Sequence, residues 1–307
     1  MSGQFSRRRF LSTLGAAAAA STLPTKAFST AVSSDPRFAY AAITWGGNDQ
    51  AAIKDVSETG FRGIQLRTSV LKEFGKNPKG LRDLLAQHRL QMVAFSSGGV
   101  GIAPGTEADE IAKHISNATF VRDAGGLYLQ VTDSARQKGK TPGPDDYKKV
   151  GRLMAEIGKR SLDLGIPVAY HNHMNSLGEA PEEVDRIMDA ADPRYLKMEL
   201  DVAHYLQGGG DPVKAVYKFS GRHLFLHIKD VEGPLPGATT DLMHSYRFVE
   251  LGRGKVDLPG VFTALANIKF SGWCVVELDS VPDKAKTPRE YAAINKAYIE
   301  QKLKIKV

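Results

Sequence analysis

The chain has 307 residues, of which 42% are hydrophobic and 24% are charged, so it is long enough for one large core and does not resemble a disordered or fibrous protein. The formal net charge is +7, but residues 1–31 contain four basic and no acidic residues, which leaves +3 for the remainder. This mild excess gives no support for a nucleic-acid partner. The single cysteine, Cys274, excludes an intramolecular disulfide.

Residues 1–31 have the pattern of a twin-arginine export signal. The sequence SRRRFL at residues 6–11 contains the arginine pair, and a weakly apolar run follows to residue 20. That run is shorter than the roughly 20 apolar residues that a membrane-spanning helix needs. We therefore predict a periplasmic or secreted protein with no stable membrane association after export.

From residue 38 onward, short apolar runs alternate with longer amphipathic ones. The apolar runs predict eight strands, at residues 39–44, 61–66, 90–96, 127–131, 166–170, 195–200, 223–228 and 273–278. The amphipathic stretches predict helices at residues 49–59, 79–88, 107–124, 146–164, 181–190, from the turn at 208–212 to about 219, 258–268 and 287–303. A long loop rich in proline and glycine reaches to about residue 257.

This alternation predicts the α/β class and a single (β/α)8 TIM barrel over residues 38–307. A doubly wound open sheet is the competing architecture. A dinucleotide-binding sheet of that kind carries a Gly-x-Gly-x-x-Gly turn after its first strand, and the sequence has none there. The barrel is therefore the favoured fold.

Three polar residues end consecutive predicted strands at inward-facing positions. Side chains alternate along a strand, so Asp201, His227 and Glu277 can converge at the C-terminal ends, where barrel enzymes carry their active sites. Carboxylates and an imidazole on separate rigid strands suit one divalent cation: Mn2+, Mg2+, Co2+ or Zn2+. A single residue of this kind is more often a hydrogen-bonded loop anchor, but three together favour a metal site. Glu199 shares the inward parity, and we expect it to form a buried salt bridge with Lys197.

The ordered series of motifs resembles the xylose isomerase-like barrel family of sugar isomerases and epimerases, and most of all its inosose dehydratase-like branch. The resemblance rests on HNHMNSLGEAPEE at 171–183, LDVAH at 200–204, LHIKDV at 226–231, ELGRGKVD at 250–257 and VVE at 275–277. It covers nearly the whole chain after the export segment, and it is specific to the superfamily but not to one reaction.

The resemblance implies a divalent metal held by a Glu, an Asp, a His and a second Glu. Asp201, His227 and Glu277 match three of these ligands. In the dehydratase-like branch the first Glu matches Glu179, whereas many epimerase relatives carry it at the end of strand five, where this chain has His171. We expect Glu179 to be the ligand and keep His171 as the alternative.

In such a site the metal would bind a carbonyl and its neighbouring hydroxyl, and a base would move a proton through an enediolate. The candidate catalytic residues are Glu179, Glu277, His204 and Lys229. The candidate substrate-binding residues are His171, His173, Trp45, Gln65, Arg67 and Arg253. His173 is also a candidate proton shuttle.

The expected function is a metal-dependent isomerase or epimerase acting on an unphosphorylated sugar or keto-sugar, because sugar phosphates are not expected outside the cytoplasm. The alternative reaction is that of a lyase or dehydratase acting on a keto-sugar, 3-keto-glycoside or inosose. A non-catalytic sugar-binding protein belongs to a different class and does not require the full set of ligands. An endonuclease IV-like activity is disfavoured by the export signal and by the mild charge.

Overall fold

The computed structural model of the protein describes residues 36–136 and 141–307. The predicted export segment, residues 1–31, lies outside the described residues. Eight parallel strands close into a barrel in the order β1-β10-β7-β6-β5-β4-β3-β2, and helices follow the strands on the outside. This is the predicted TIM barrel. The ten strands are β1 (Arg37–Ala41), β2 (Gly63–Arg67), β3 (Gln91–Gly99), β4 (Tyr128–Thr132), β5 (Val168–His171), β6 (Leu196–Asp201), β7 (His223–Ile228), β8 (Asp230–Glu232), β9 (Arg247–Val249) and β10 (Trp273–Val276).

The helices lie close to their predicted positions. They are α1 (Asp49–Thr59), α2 (Leu71–Phe74), α3 (Pro78–Gln87), α4 (Glu107–Asp123), α5 (Pro144–Asp163), α6 (Pro181–Ala190), α7 (Val202–Gln207), α8 (Pro212–Lys218), α9 (Leu258–Asn267) and α10 (Pro288–Gln301). Proline stands in the first turn of α3, α5, α6, α8, α9 and α10, where its missing N–H costs no intrahelical hydrogen bond. Among the described residues, no helix combines the length and the apolar character needed to cross a membrane.

The short helices α2 and α7 were not predicted, and two further segments differ from the sequence prediction. The first strand ends at Ala41, and Ala42–Trp45 forms a 3-10 turn that ends at Gly46, whose φ of +62° favours glycine. The loop after β7 contains an antiparallel hairpin of β8 and β9. Asp230 stabilises the end of this loop, since its carboxylate accepts backbone N–H groups of Gly252, Gly254 and Val256. Neither feature has a hydrophobic periodicity that a sequence pattern would detect.

The barrel interior is filled by small and aromatic side chains from several strands. The inner cluster consists of Ala39, Ala41, Val93, Ala94, Ala169, Phe225, Trp273 and Val275. Phe225 and Val275 lie two residues before His227 and Glu277, so the inward parity predicted for β7 and β10 is correct. A larger apolar cluster separates the strands from the surrounding helices. The polar residues that follow the inner cluster therefore point towards the C-terminal mouth.

Candidate metal centre

Asp201, His227 and Glu277 meet at the C-terminal mouth of the barrel. Strand register pairs Asp201 with His227, and it pairs Val275, two residues before Glu277, with His227 as well. The Nδ1 atom of His227 lies 3.5 Å from Asp201 Oδ2 and 3.5 Å from Glu277 Oε1. All three side chains are buried. The structure thus brings together the three residues that strand parity selected.

The Asp201 carboxylate has one oxygen engaged and one free. Oδ1 accepts the backbone N–H groups of Ala203 and His204 at 2.9 and 2.8 Å and so caps α7. Oδ2 is buried and has no hydrogen-bond partner among the described residues. Burial opposes ionisation of Asp201, but its neighbours, among them the His204 ring and the Lys229 ammonium, hold the pKa of Asp201 below its usual range. Capping therefore fixes the carboxylate so that one ionised oxygen faces His227.

A divalent metal ion fits this arrangement. The His227 Nδ1 and Asp201 Oδ2 atoms are both buried and lack a hydrogen bond within the described part of the chain, which is costly unless another group binds them. Their separation is 3.5 Å. Two ligand atoms about 2.1 Å from one tetrahedral ion lie about 3.4 Å apart. Both the donor chemistry and the spacing thus suit a single cation.

His171 joins this group from the end of β5. His171, Asp201 and His227 each offer a ligand atom, and these atoms lie within 4.8 Å of one another. The strand ends are tied together by Asn172, which accepts from the Asp201 N–H at 3.0 Å and donates to the Asp201 carbonyl at 3.2 Å. His171 is therefore held in place beside the other two residues.

Glu179, the expected first ligand, lies outside this group. It directly precedes α6, and its Oε1 accepts from the Asn175 N–H at 3.1 Å and lies 2.7 Å from His244 Nε2. Its Oε2 lies 3.4 Å from Arg136 Nε. The Glu179 carboxylate is therefore bound by Asn175, His244 and Arg136 instead of by the residues around His227. The geometry therefore favours His171, the alternative, as the residue that completes the ligand group.

Lys229 is fully buried among carboxylates. Its Nζ lies 2.6 Å from Asp279 Oδ1, 3.0 Å from Glu277 Oε1 and 3.9 Å from Asp201 Oδ2. Burial opposes the charged form of the lysine, but these carboxylates together raise its pKa above the usual value. The ring of Phe248 lies 3.9 Å from the same nitrogen. These contacts favour the charged form of Lys229.

Glu277 and Asp279 have different environments although they share Lys229. Burial disfavours ionisation of Glu277, but His227 and Lys229 outweigh it and hold its pKa well below the usual range. For Asp279, burial is the largest effect and raises the pKa. Two neighbouring carboxyl groups whose pKa values are pushed in opposite directions are a typical acid and base pair.

The backbone of Met174 contacts two imidazole rings. His173 Nδ1 lies 2.6 Å from the Met174 carbonyl and must donate to it, which leaves Nε2 as an acceptor. The Met174 N–H donates to His204 Nδ1 at 3.1 Å, and the Lys229 Nζ atom lies 3.4 Å from His204 Nε2. Burial lowers the pKa of His173 to about 4 and that of His204 well below its usual value. Both rings are therefore neutral near pH 7.

A cavity of about 420 Å3 opens above the ligand group. Of the predicted substrate-binding residues it is lined by Gln65, Arg67, His171 and His173, and Glu277 also lines it. Further polar residues that line it are Ser96, Gln130, Thr132, Asp133, Asn175, Ser176 and Asp279. The cavity has the size and the polar lining expected for a small hydroxylated molecule.

Other predicted site residues do not line this cavity. The Trp45 indole donates to Asp55 Oδ2 at 2.8 Å. Arg253 forms ion pairs with Glu232 and Glu250. Two further predicted residues, His204 and Lys229, are buried and also do not line the cavity.

Glu199 does not pair with Lys197, contrary to the sequence expectation. Lys197 is partly exposed and its Nζ donates to the Pro193 carbonyl at 2.8 Å. Glu199 is fully buried, and its Oε1 lies 2.7 Å from His227 Nε2. Lys197 lies lower on the same strand, where its long side chain reaches solvent.

Asp133, Asp279 and Gln130 are cavity residues that sequence reasoning missed. Asp279 lies two residues after Glu277, so side-chain alternation would have selected it, and Asp133 directly follows the end of β4. Gln130 is a polar residue within a buried strand. By contrast, the contacts of Arg136 and His244 with Glu179 join distant loops and leave no sequence signal.

Comparison with known proteins finds relatives that cover most of the chain. The sequence model of the xylose isomerase-like TIM barrel family matches residues 53–298. The inosose dehydratase of Geobacillus kaustophilus is 24% identical, with 86% of this chain and 94% of that protein covered. The rhizopine catabolism protein MocC of Rhizobium meliloti is 26% identical, with 83% and 85% covered.

Solved structures share the fold at lower identity. The IOLI protein with a bound zinc atom has a TM-score of 0.72 and 18% identity, and the match covers 86% of this chain and 97% of that one. An L-ribulose 3-epimerase has a TM-score of 0.68 and 16% identity, and the match covers 88% and 95%.

Proposed function

Because the chain belongs to the xylose isomerase-like TIM barrel family, we propose that it is a divalent-metal-dependent enzyme that removes a proton beside a carbonyl group of an unphosphorylated keto-sugar or cyclitol. The observation that carries this proposal is the convergence of His171, Asp201, His227 and Glu277 below a polar cavity. The zinc bound by the IOLI protein, which has the same fold, also supports a metal at this position.

The nature of the substrate follows from the charges around the cavity. Among the described residues, its lining contains three carboxyl groups, from Asp133, Glu277 and Asp279, and one guanidinium, from Arg67. A phosphate group would face the carboxylates of Asp133 and Glu277 there, whereas neutral hydroxyl groups find both donors and acceptors. This lining favours an unphosphorylated polyol, and the predicted export signal favours the same class of substrate.

When bound, the metal ion would polarise the substrate carbonyl and stabilise the negative charge that develops on its oxygen. Glu277 would remove the proton, because it is ionised and lines the cavity. Lys229 holds the Glu277 carboxylate in position at 3.0 Å. The neutral His173, with Nε2 free to accept, would orient a substrate hydroxyl.

We place dehydration ahead of isomerisation or epimerisation. Glu277 and Asp279 contact the same ammonium and so lie on the same side of the cavity. Removal of a proton by one and protonation of a departing β-hydroxyl by the other would achieve elimination from a single face of the substrate. The family relatives named as inosose dehydratases support this order.

Epimerisation is the second candidate, because a carboxyl group also lies on the opposite side. Asp133 follows β4, which is four positions from β10 in the ring of eight strands. A proton removed by Glu277 and returned from the side of Asp133 would invert a carbon centre.

NMR in D2O with a panel of keto-sugars, aldo-sugars, cyclitol ketones and 3-keto-glycosides tests the proposal. Net loss of a hydroxyl group supports dehydration, and solvent deuterium at one carbon without loss of water supports isomerisation or epimerisation. Binding of a panel member without exchange or conversion, in protein loaded with metal, would identify a sugar-binding protein and overturn the enzymatic proposal.

A further inference from the structure

Glu199 lies directly behind the proposed ligand group and contacts two of its imidazole rings. Its Oε1 is 2.7 Å from His227 Nε2 and 3.2 Å from His171 Nδ1. The other nitrogen of His227, Nδ1, faces Asp201 and Glu277 on the opposite side of the ring. One carboxylate on β6 thus contacts two rings on β5 and β7, the strands on either side of it.

Gln65 and Gln130 define the tautomer of His227. The Gln65 amide donates from Nε2 to Gln130 Oε1 at 2.9 Å, so its own Oε1 faces His227 as an acceptor. That oxygen lies 2.6 Å from His227 Nε2. A neutral His227 would therefore carry its proton on Nε2, between Gln65 and Glu199, and present the lone pair of Nδ1 to the ligand group.

The burial of Glu199 is costly unless a positive charge offsets it. Its side chain is fully buried, and neither oxygen has a conventional hydrogen-bond partner among the described residues. Asp201 and Glu277 add two more buried carboxylates nearby, and Lys229 is the ammonium that contacts both of them. Within the described part of the chain, negative charge therefore exceeds positive charge at this site, and a divalent cation would reduce the excess.

We infer that Glu199 is a positioning residue that orients His227 and His171 and supplies negative charge behind them, so that the site binds a divalent cation tightly. It does not bind the ion itself, because it contacts the side of His227 opposite Nδ1. Carboxylates that orient metal-bound imidazoles commonly contribute about 10- to 100-fold to metal affinity. The inference rests on the proposed function in that it requires a metal in the group.

The test is Co2+ binding by the full chain, measured by calorimetric titration and by the visible absorption of the bound ion. Glu199→Gln keeps the shape of the side chain but removes its charge. We expect it to bind one Co2+ per chain about 10- to 100-fold more weakly than wild type, with an altered absorption band. Glu183→Gln is the matched control, since Glu183 contacts Arg136 and Tyr147 instead, and we expect wild-type affinity.

The possible failures are distinguishable. Wild-type affinity and an unchanged band in Glu199→Gln would overturn the role of Glu199 and leave the proposed function standing. Absence of Co2+ binding by the wild-type chain would overturn both. If circular dichroism shows that Glu199→Gln does not fold, Glu199→Asp decides, because it keeps the charge but withdraws the carboxylate from both rings. We expect Glu199→Asp to bind Co2+ more weakly than wild type, by up to about 100-fold. An unchanged affinity would contradict the inference.

Discussion

Glu277 and Asp133 lie on opposite sides of the cavity, because the strands that precede them, β10 and β4, are four positions apart in the closed ring of eight. Asp279 lies on the Glu277 side, since both contact Lys229. The two possible partners of Glu277 in proton transfer are thus separated in space. Substitution of each one separates the two proposed reactions.

For a dehydratase, Asp279→Asn should lower kcat by about 100-fold or more, because the departing hydroxyl loses its proton donor. Asp133→Asn should lower it by less than about 10-fold, a change expected from substrate binding alone. Steady-state kinetics on a substrate found by the NMR screen measures both values. The reverse order of the two effects would favour epimerisation instead.

The identity of the first metal ligand is tested by two single substitutions. We expect His171→Ala to weaken Co2+ or Zn2+ binding by at least about 10-fold, because a ligand atom is lost, and Glu179→Gln to leave it within about 3-fold, because Glu179 contacts His244 and Arg136. Metal analysis after dialysis and calorimetric titration provide the measurement. Asp201→Asn combined with His227→Ala should abolish binding, and full occupancy in that double variant would remove the basis for this metal centre.

Loss of Lys229 should destabilise the metal-free protein. Lys229→Met leaves buried Glu277 and Asp201 without their cation, and breaking such a pair costs about 3–5 kcal/mol in free energy of unfolding. Urea denaturation measures the loss, which a saturating divalent ion should reduce. Lys197→Met is the control, since Lys197 is partly exposed and donates only to a backbone carbonyl, and a change below about 1 kcal/mol is expected there. Equal effects of the two substitutions would contradict the role of Lys229.

Asp133 should make stability depend on pH. Burial raises its pKa from the usual value to about 6. The folded protein therefore holds this proton at a pH where the unfolded chain has lost it, so the contribution of Asp133 to stability falls as pH rises from about 4 to about 6. The stability of wild type relative to Asp133→Asn should accordingly fall by about 2 kcal/mol between pH 4 and pH 7. Urea denaturation across this range checks the sign, and a constant difference would show that the carboxyl group is not perturbed.

Much of the molecule follows from local patterns. The bounds of α1 and α6 agree with the prediction to the residue, because both have clear sequence signals at their ends: Asn48 caps α1, Gly60 ends it, and Pro181 begins α6. The convergence of Asp201, His227 and Glu277 also follows from strand parity and barrel symmetry. These features depend on a few neighbouring residues or on a repeat.

Only the tertiary structure shows which of the two candidate first ligands lies beside Asp201 and His227. The sequence placed His171 and Glu179 eight positions apart in one segment and favoured Glu179 by resemblance. In the fold, Arg136 and His244 satisfy Glu179, whereas His171 faces Asp201 and His227. Arg136 and His244, which contact Glu179, lie 43 and 65 residues away from it in sequence. Contacts over such distances leave no local sequence pattern.

The sequence by itself determined the barrel, the order of its strands and the three polar residues at the mouth, because hydrophobic periodicity and side-chain alternation are local properties of the chain. Only the tertiary structure decided that Glu199 contacts His227 instead of Lys197, and that Glu277 and Asp279 both contact the ammonium of Lys229. These pairings form between strands that are distant in sequence. They are governed by the electrostatic free energy of burying charged side chains, which favours arrangements in which each buried charge lies next to an opposite charge.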